Sequence, residues 1–532
     1  MVRRDDRLHL ISVRVGDEHS EIAAHDAPNG VEVFVDSAGE MSIDVPPTTP
    51  EQCFHASIES GCIASNDMRL MARCADGGLD ERGVFALFQY GAIPAPLSIV
   101  SGVHRIPCGH RVTLNSRGDT PSYIRQFNAS TSNDPPSAKQ ADGRFLEVLD
   151  AILASAGDQP VLYFSGGIDS SLLAWRMKCI GRDDVRLFNY GFGDEDADRI
   201  ASRRTAEAIG LRLECVTHDE AGMVTVLDHL AGDYSFPFGD FSTLPTNLLV
   251  RASIERFGPR SFIEGTGADG LFGIGMTLSR WQRSERVPRP IRRLIAAMYG
   301  PLNAWKWPSA NSRIESVLRV FRRTTQMSLP LAVVSQNPLD GVAYRMPRGV
   351  RDEIDGAIGA HILSMSEGTD DATTLSMLDL VQVCAGIFAA KSFDPLRMRG
   401  AEVRYPFLEP DILSLGCELP WTMKCVGGTP KGMLKNLLRG IIPDAVLDRP
   451  KTGFTPPLGR MLAGDVLQDF LRGVVLSPGN PVIEHCDASL VRRMADHVRR
   501  REQLSVGASN YLWMLIFLSG WWRGVRTTGG CD

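Results

Sequence analysis

The sequence predicts an α/β protein in two parts: a parallel-sheet domain with a helical C-terminal part, preceded by a smaller α+β domain. Two observations carry this. β-type runs at 161–164, 185–190 and 211–216 alternate with helical stretches at 170–178 and 198–209, and strands alternating with helices imply βαβ units around a parallel sheet. Residues 128–140 (NASTSNDPPSAKQ) collect Asn, Ser, Pro and Asp without apolar periodicity, which is linker chemistry. The expected domains are therefore 1–127 and 141–532, joined by 128–140.

In chain order, the first domain shows short apolar stretches such as 31–35 and 102–106 between Gly, Pro and Asp turns, with one helix expected at 81–90. The strand–helix alternation follows the linker. From about residue 285 the chain reads as mostly helical to its end. The late apolar run 511–522 (YLWMLIFLSGWW) is too short to span a bilayer and reads as a buried helix.

Composition excludes several classes. The 532 residues are 43% apolar and 23% charged, with a net charge of −6, so no basic field points to nucleic acid or an anionic membrane. The opening MVRRDDRLHL has no apolar stretch of the kind a secretory signal needs. Eleven cysteines lie scattered without CxxC spacing, as small core residues of a reducing compartment. A cytoplasmic protein without a membrane span is expected.

The most informative segment is 161–171, VLYFSGGIDSS. A hydrophobic strand ends in Ser165-Gly166-Gly167, and a helix begins at Asp169-Ser170-Ser171. Glycines let the backbone close around an anion, and the loop N–H groups and helix N-terminus then face it. The three serines add hydroxyls, and Asp169 can hold a Mg²⁺ that bridges phosphates. The Gly-Lys-Ser/Thr of a Walker loop is absent.

SGGxDSS resembles the pyrophosphate loop (PP-loop) of the ATP pyrophosphatase superfamily, whose members split ATP into AMP and pyrophosphate. Further segments resemble the asparagine synthetase class, in that family's order: FPFGDFSTLPTNL at 236–248, IEGTGADGLFG at 263–273, EVRYPFLEP at 402–410, residues 429–438, and DRPKTGFTPPL at 448–458. The resemblance implies a PP-loop ATPase fold, related to the adenine nucleotide α-hydrolases. It implies that a carboxylate attacks the α-phosphate of ATP and that an amine then displaces AMP. By the same resemblance Asp169 and Asp269 carry Mg²⁺, Lys451 stabilises charge on the adenylate, and Lys431 is a second basic group near pyrophosphate. Tyr163 and Tyr190 stand at strand ends lining the adenine pocket, largely through backbone groups, and Gly265 and Thr266 belong to the second ATP loop.

Two departures bear on the reaction. Glutamine-using members carry a cysteine at the second position, where this sequence has Val2; the first domain is therefore expected to be a degenerate Ntn-type glutaminase. Asparagine synthetases place an acid, and β-lactam synthetases a tyrosine, where Thr266 stands, and a threonine hydroxyl cannot serve as a base near neutrality. Gly270 likewise stands where an acid usually follows the metal-binding aspartate. The lasso-peptide macrolactam cyclases are a similar case. They imply a peptide or small-molecule carboxylate substrate, with a precursor peptide and its processing protease as partners. The arginine-rich stretch at 280–323 fits either a peptide-facing surface or a solvated helix face. The rival readings are an ammonia-using relative that amidates Asp or a polysaccharide precursor, and a non-catalytic scaffold.

Overall fold

The computed structural model describes residues 13–15, 31–35, 40–58, 61–114, 121–132, 134–193, 196–217, 222–295, 297, 320–321, 323–325, 327–335, 346–449, 458–500, 504 and 506–527. The first part builds two antiparallel sheets. One has the order β1-β5-β4-β6, from β1 (Val13–Val15), β4 (Phe54–Ile58), β5 (Gly61–Ser65) and β6 (Val103–Arg105). The other has the order β2-β3-β7-β8, from β2 (Glu32–Val35), β3 (Met41–Val45), β7 (His110–Leu114) and β8 (Ser122–Arg125). β3 and β7 bury every second side chain, so each presents one face to the core. Helices α1 (Met68–Cys74) and α2 (Glu81–Tyr90) accompany them. Helix α2 occupies the residues its pattern predicts: Asp80 caps it by accepting from the Arg82 and Gly83 N–H groups, and Gly91 ends it in the left-handed conformation.

The second part begins with α3 (Ala138–Ala154), whose Ser137 and Gln140 form a reciprocal capping box. The last three residues of the expected linker are therefore the first turn of this helix. Then follow β9 (Val161–Tyr163), α4 (Ile168–Cys179), β10 (Arg186–Gly191), α5 (Ala197–Ile209), β11 (Leu213–Thr217), α6 (Gly222–Asp228), α7 (Leu230–Asp233), α8 (Thr243–Phe257), β12 (Ser261–Ile263), α9 (Ala268–Phe272) and α10 (Ile274–Glu285). The strands form one all-parallel sheet, β11-β10-β9-β12-β13, closed by β13 (Glu402–Arg404). β13 lies in the stretch expected to be helical. Three residues of strand between helices leave little local signal, and pairing with β12 decides their conformation.

The strand order reverses between β9 and β12, since β10 and β11 lie on one side of β9 and β12 and β13 on the other. The loops after these two neighbours stand at the carboxyl ends of the strands, and a switch point of this kind is where open α/β sheets bind ligands, in the crevice between such loops.

Two apolar helices complete the core. The helix Asp371–Arg397 is long and apolar enough to cross a membrane, at a mean hydropathy of 1.5, but 83% of that window is buried inside the protein. The helix Val506–Thr527 contains the run expected to be buried, and Tyr511, Trp513 and Trp521 are fully enclosed. Tyr511 meets Phe88 of α2 at 5.3 Å between ring centres. The two parts share one hydrophobic core, reinforced by the buried pair Arg397–Glu51 at 3.5 Å. The ten described cysteines are all free.

Candidate active site

The first wall of the crevice is the loop between β9 and α4. Gly166 has φ +71°, and a Cβ there would lie 2.4 Å from Ser202 Cα on α5. Only glycine lets α5 press so closely on this loop. Helix α4 starts at Gly167 with no side-chain cap, so its first N–H groups are available to an anion at its positive end. The Ser165 hydroxyl accepts from the Gly167 N–H at 3.2 Å and lies 3.2 Å from Ser170 Oγ. Ser165 and Gly167 are exposed, whereas Ser171 is fully buried with its hydroxyl unpartnered. The hydroxyls thus split, with Ser165 at the rim, Ser170 behind it and Ser171 turned inward.

The second wall is the loop between β12 and α9. Gly265 packs so close that an added Cβ would stand 3.2 Å from Asp169 Cβ. Asp269 sits in the first turn of α9, whose N-cap is Gly267 without a side-chain cap. Between the walls enters Lys431, at the N-terminus of the helix Gly432–Leu438. It is held in the left-handed conformation (φ +58°) with its N–H on the Phe272 carbonyl at 2.9 Å. Its Nζ lies 2.7 and 2.6 Å from the two Asp169 oxygens and 2.7 Å from Asp269 Oδ1. Burial acts to lower the pKa of this ammonium, but the two carboxylates outweigh it and hold the group above an ordinary lysine. Asp169 and Asp269, both placed at the site by the resemblance, meet through Lys431, which contacts each of them.

Gly270 has its own explanation. A Cβ there would lie 2.7 Å from Asp379 Oδ2, so the space left by the missing side chain is taken by a carboxylate from the helix Asp371–Arg397. Tyr163 turns its side chain into the protein, with its hydroxyl 2.9 Å from Ser253 Oγ of α8. Only its backbone can face the crevice. Tyr190 is buried near the end of β10, packed edge-on to Phe192. Lys451 lies outside the described residues; Arg449, two positions earlier, pairs with Asp198 of α5 at 2.8 Å.

Sequence reasoning passed over a second polar cluster beside Gly265. The Thr266 hydroxyl donates to Glu264 Oε1 at 2.7 Å, and the Ser392 hydroxyl donates to Glu264 Oε2. Ser392 Oγ also lies 2.9 Å from the Tyr405 hydroxyl. Lys391 donates to Ser242 Oγ at 2.9 Å and to Asp240 at 3.3 Å. Burial pushes the Glu264 carboxyl up from the ordinary glutamate range, against the opposing pull of Lys391. Asp240 and Ser242 lie in the FPFGDFS segment, which was a visible signal; Glu264 stands two residues before Thr266, the position read for an acid.

A glycine loop and two carboxylates on one ammonium at the switch point of a parallel sheet are suited to a phosphorylated ligand. Comparison narrows the class. The asparagine synthase family matches residues 148–522, and the chain belongs to that family. A protein named as a glutamine-hydrolyzing asparagine synthetase from Mycobacterium bovis is 27% identical over 467 residues, covering 83% of this chain and 67% of the relative. Asparagine synthetase [glutamine-hydrolyzing] 1 of Bacillus subtilis is 22% identical over 480 residues, covering 86% and 71%. The NH3-dependent NAD synthetase of Campylobacter jejuni matches 26% of this chain and 60% of its own at 16% identity, with a TM-score of 0.19, too loose a likeness to define the fold. The chain is an ATP-dependent ligase of the asparagine synthetase type.

Proposed function

We propose that this protein forms an amide bond by adenylating a substrate carboxylate, releasing pyrophosphate, and letting a substrate amine rather than glutamine displace AMP. The product proposed is a macrolactam of the lasso-peptide type. The observation that carries the adenylation step is the convergence of Asp169 and Asp269 on one ammonium within 2.7 Å, beside a glycine loop. Two carboxylates that close together suit a divalent cation. Among the described residues no group of three or more His, Cys, Asp or Glu gathers to hold a metal, so the pair would share Mg²⁺ with phosphate oxygens, where the cation would neutralise phosphate charge. Lys431 adds a fixed positive charge, and the N-terminus of α4 adds N–H donors.

Two observations favour a peptide amine. Thr266 brings no acid of its own to the loop. Among the described residues of the 280–323 stretch, Arg283, Arg286, Arg289 and Arg293, with Ile291 and Leu294, are exposed at the end of α10 and just after it, a mixed basic and apolar surface. In the first part Cys53, Cys62 and Cys108 are buried, and burial pushes Cys53 well above a usual thiol, while Cys74 at the end of α1 is exposed; three of these four thiols are thus poorly placed to act as a nucleophile. The free cysteines fit a cytoplasmic setting. The curated relatives support a second reading, in which ammonia is the amine and Asp the carboxylate.

The test incubates the protein with ATP, Mg²⁺ and a carboxylate panel that includes L-aspartate and peptides with a free N-terminus and one side-chain carboxylate. AMP and pyrophosphate are the expected products. Release of ADP and phosphate would overturn the assignment.

A further inference from the structure

We infer that Glu264 is the base that frees the incoming amine of its proton, with Thr266 and Ser392 fixing the carboxylate and the Lys391–Asp240 pair forming the rear wall of the acceptor pocket. This deepens the amide-synthesis reading and rests on it. The chemistry creates the need: an aliphatic amine is an ammonium near neutrality, and its lone pair attacks only after a proton leaves.

The crevice holds two charged clusters with different tasks. Asp169, Asp269 and Lys431 together keep one net negative charge, which suits a divalent cation carried with phosphate. Glu264 lies one residue from Gly265, the glycine packed on Asp169, so its carboxylate borders the phosphate cluster without an ion-pair contact to it among the described residues. Among the described residues its two oxygens accept from two neutral hydroxyls, Thr266 and Ser392, and a carboxylate has about four acceptor sites, which leaves capacity for an N–H.

The groups facing Glu264 come from several elements. Thr266 belongs to its own loop, and Ser392 and Lys391 to the helix Asp371–Arg397. Asp240 comes from the segment before α8, Tyr405 from the end of β13 and Tyr163 from β9. Asp240 is the less suitable base, because its Oδ1 already accepts from the Ser242 N–H and hydroxyl, both at 2.7 Å, and its Oδ2 faces Lys391. Burial also raises the half-buried Glu264 above the ordinary glutamate range, which makes its carboxylate a stronger base than a solvated one.

The step balances. An ammonium R–NH₃⁺ gives one proton to Glu264. The freed lone pair attacks the acyl-adenylate carbon, the C–N bond forms, and the C–O bond to phosphate breaks with its electron pair leaving on AMP. The second surplus proton on nitrogen passes to the AMP phosphate.

The test uses the full chain with ATP, Mg²⁺ and two probes: L-aspartate with ammonium chloride, and a synthetic peptide with a free N-terminus and one side-chain carboxylate. Pyrophosphate exchange and amide formation are followed separately. Glu264→Gln should lower the ratio of amide formed to pyrophosphate exchanged by about 10²–10⁴-fold and remove the acid limb of its pH profile. Hydroxylamine, a nucleophile that is unprotonated near neutrality, should restore capture of the adenylate, and Glu264→Asp should recover part of the ratio. Thr266→Val, a milder change should the first variant fold poorly, should lower the ratio about tenfold. A ratio unchanged in both variants, or exchange and amide formation lost in equal measure, would make Glu264 a structural brace and overturn the inference. Absence of exchange by the unaltered protein with both probes would instead overturn the amide-synthesis reading, and the inference with it.

Discussion

Replacing Lys431 by Met removes the charge between two aspartates and keeps most of the side-chain stem. Two carboxylate charges about 5 Å apart repel by about 3 kcal/mol at an effective dielectric of about 20. The Asp169 and Asp269 side chains are 24% and 42% exposed, so water and salt screen part of this, and a net loss of about 1–2 kcal/mol is expected at low ionic strength. The Lys431 pKa is raised, so its contribution is complete below the ordinary lysine value and is lost only as pH rises beyond it; a measurement near neutrality reads all of it. Thermal unfolding of Lys431→Met should show a melting temperature lower by about 1–3 °C in low salt, with the difference shrinking as salt is added. Mg²⁺ without nucleotide should stabilise the variant more than the unaltered protein, because no ammonium then competes for the carboxylates. Turnover should fall by about 10²–10³-fold, as on losing one preorganised charge donor. A variant equally stable at low salt, with no added response to Mg²⁺, would refute the claim that Lys431 neutralises the pair.

Three other outcomes are expected. Gly166→Ala should abolish nucleotide binding measured by calorimetry, or prevent soluble expression, since the new methyl would meet the α5 backbone at 2.4 Å at a positive φ. Lys451→Met should lower turnover by about 10²–10³-fold with only a small change in ATP affinity, the signature of an interaction made mainly in the transition state; equal losses in both would place Lys451 in the ground-state nucleotide site. Burial and His104 push His55 down to about 3, and burial and His110 push His361 down to about 4, both from 6.5. The unfolded chain therefore binds more protons than the folded one between those values and 6.5, and stability should fall as pH drops through that window. Urea unfolding from pH 7 to pH 5 checks this, and the slope should flatten in the His55→Gln, His361→Gln double variant.

Local chemistry made much of this protein readable without coordinates. The strand–SGG–helix unit at 161–179, the capped helix α2 and the buried run at 511–522 each depend on neighbours within a few residues, where turn, cap and hydrophobic periodicity act. The pairing of Asp169 with Asp269 was legible through resemblance, because each sits in its own glycine loop.

Other features arise only when distant segments pack. β13 is a strand because β12 offers it an edge. Tyr163 spends its side chain on Ser253 because α8 covers that face of the sheet. Gly270 is small because Asp379, more than a hundred residues on, needs the room. Glu264 and Lys391 come from segments whose joining depends on how the helix Asp371–Arg397 packs against the loop after β12, so the missing acid at Thr266 could be read from sequence while the hydroxyls and charges around Glu264 could not. Periodicity and turn chemistry act over a few residues, whereas a charge's surroundings are fixed by whatever the completed core brings against it.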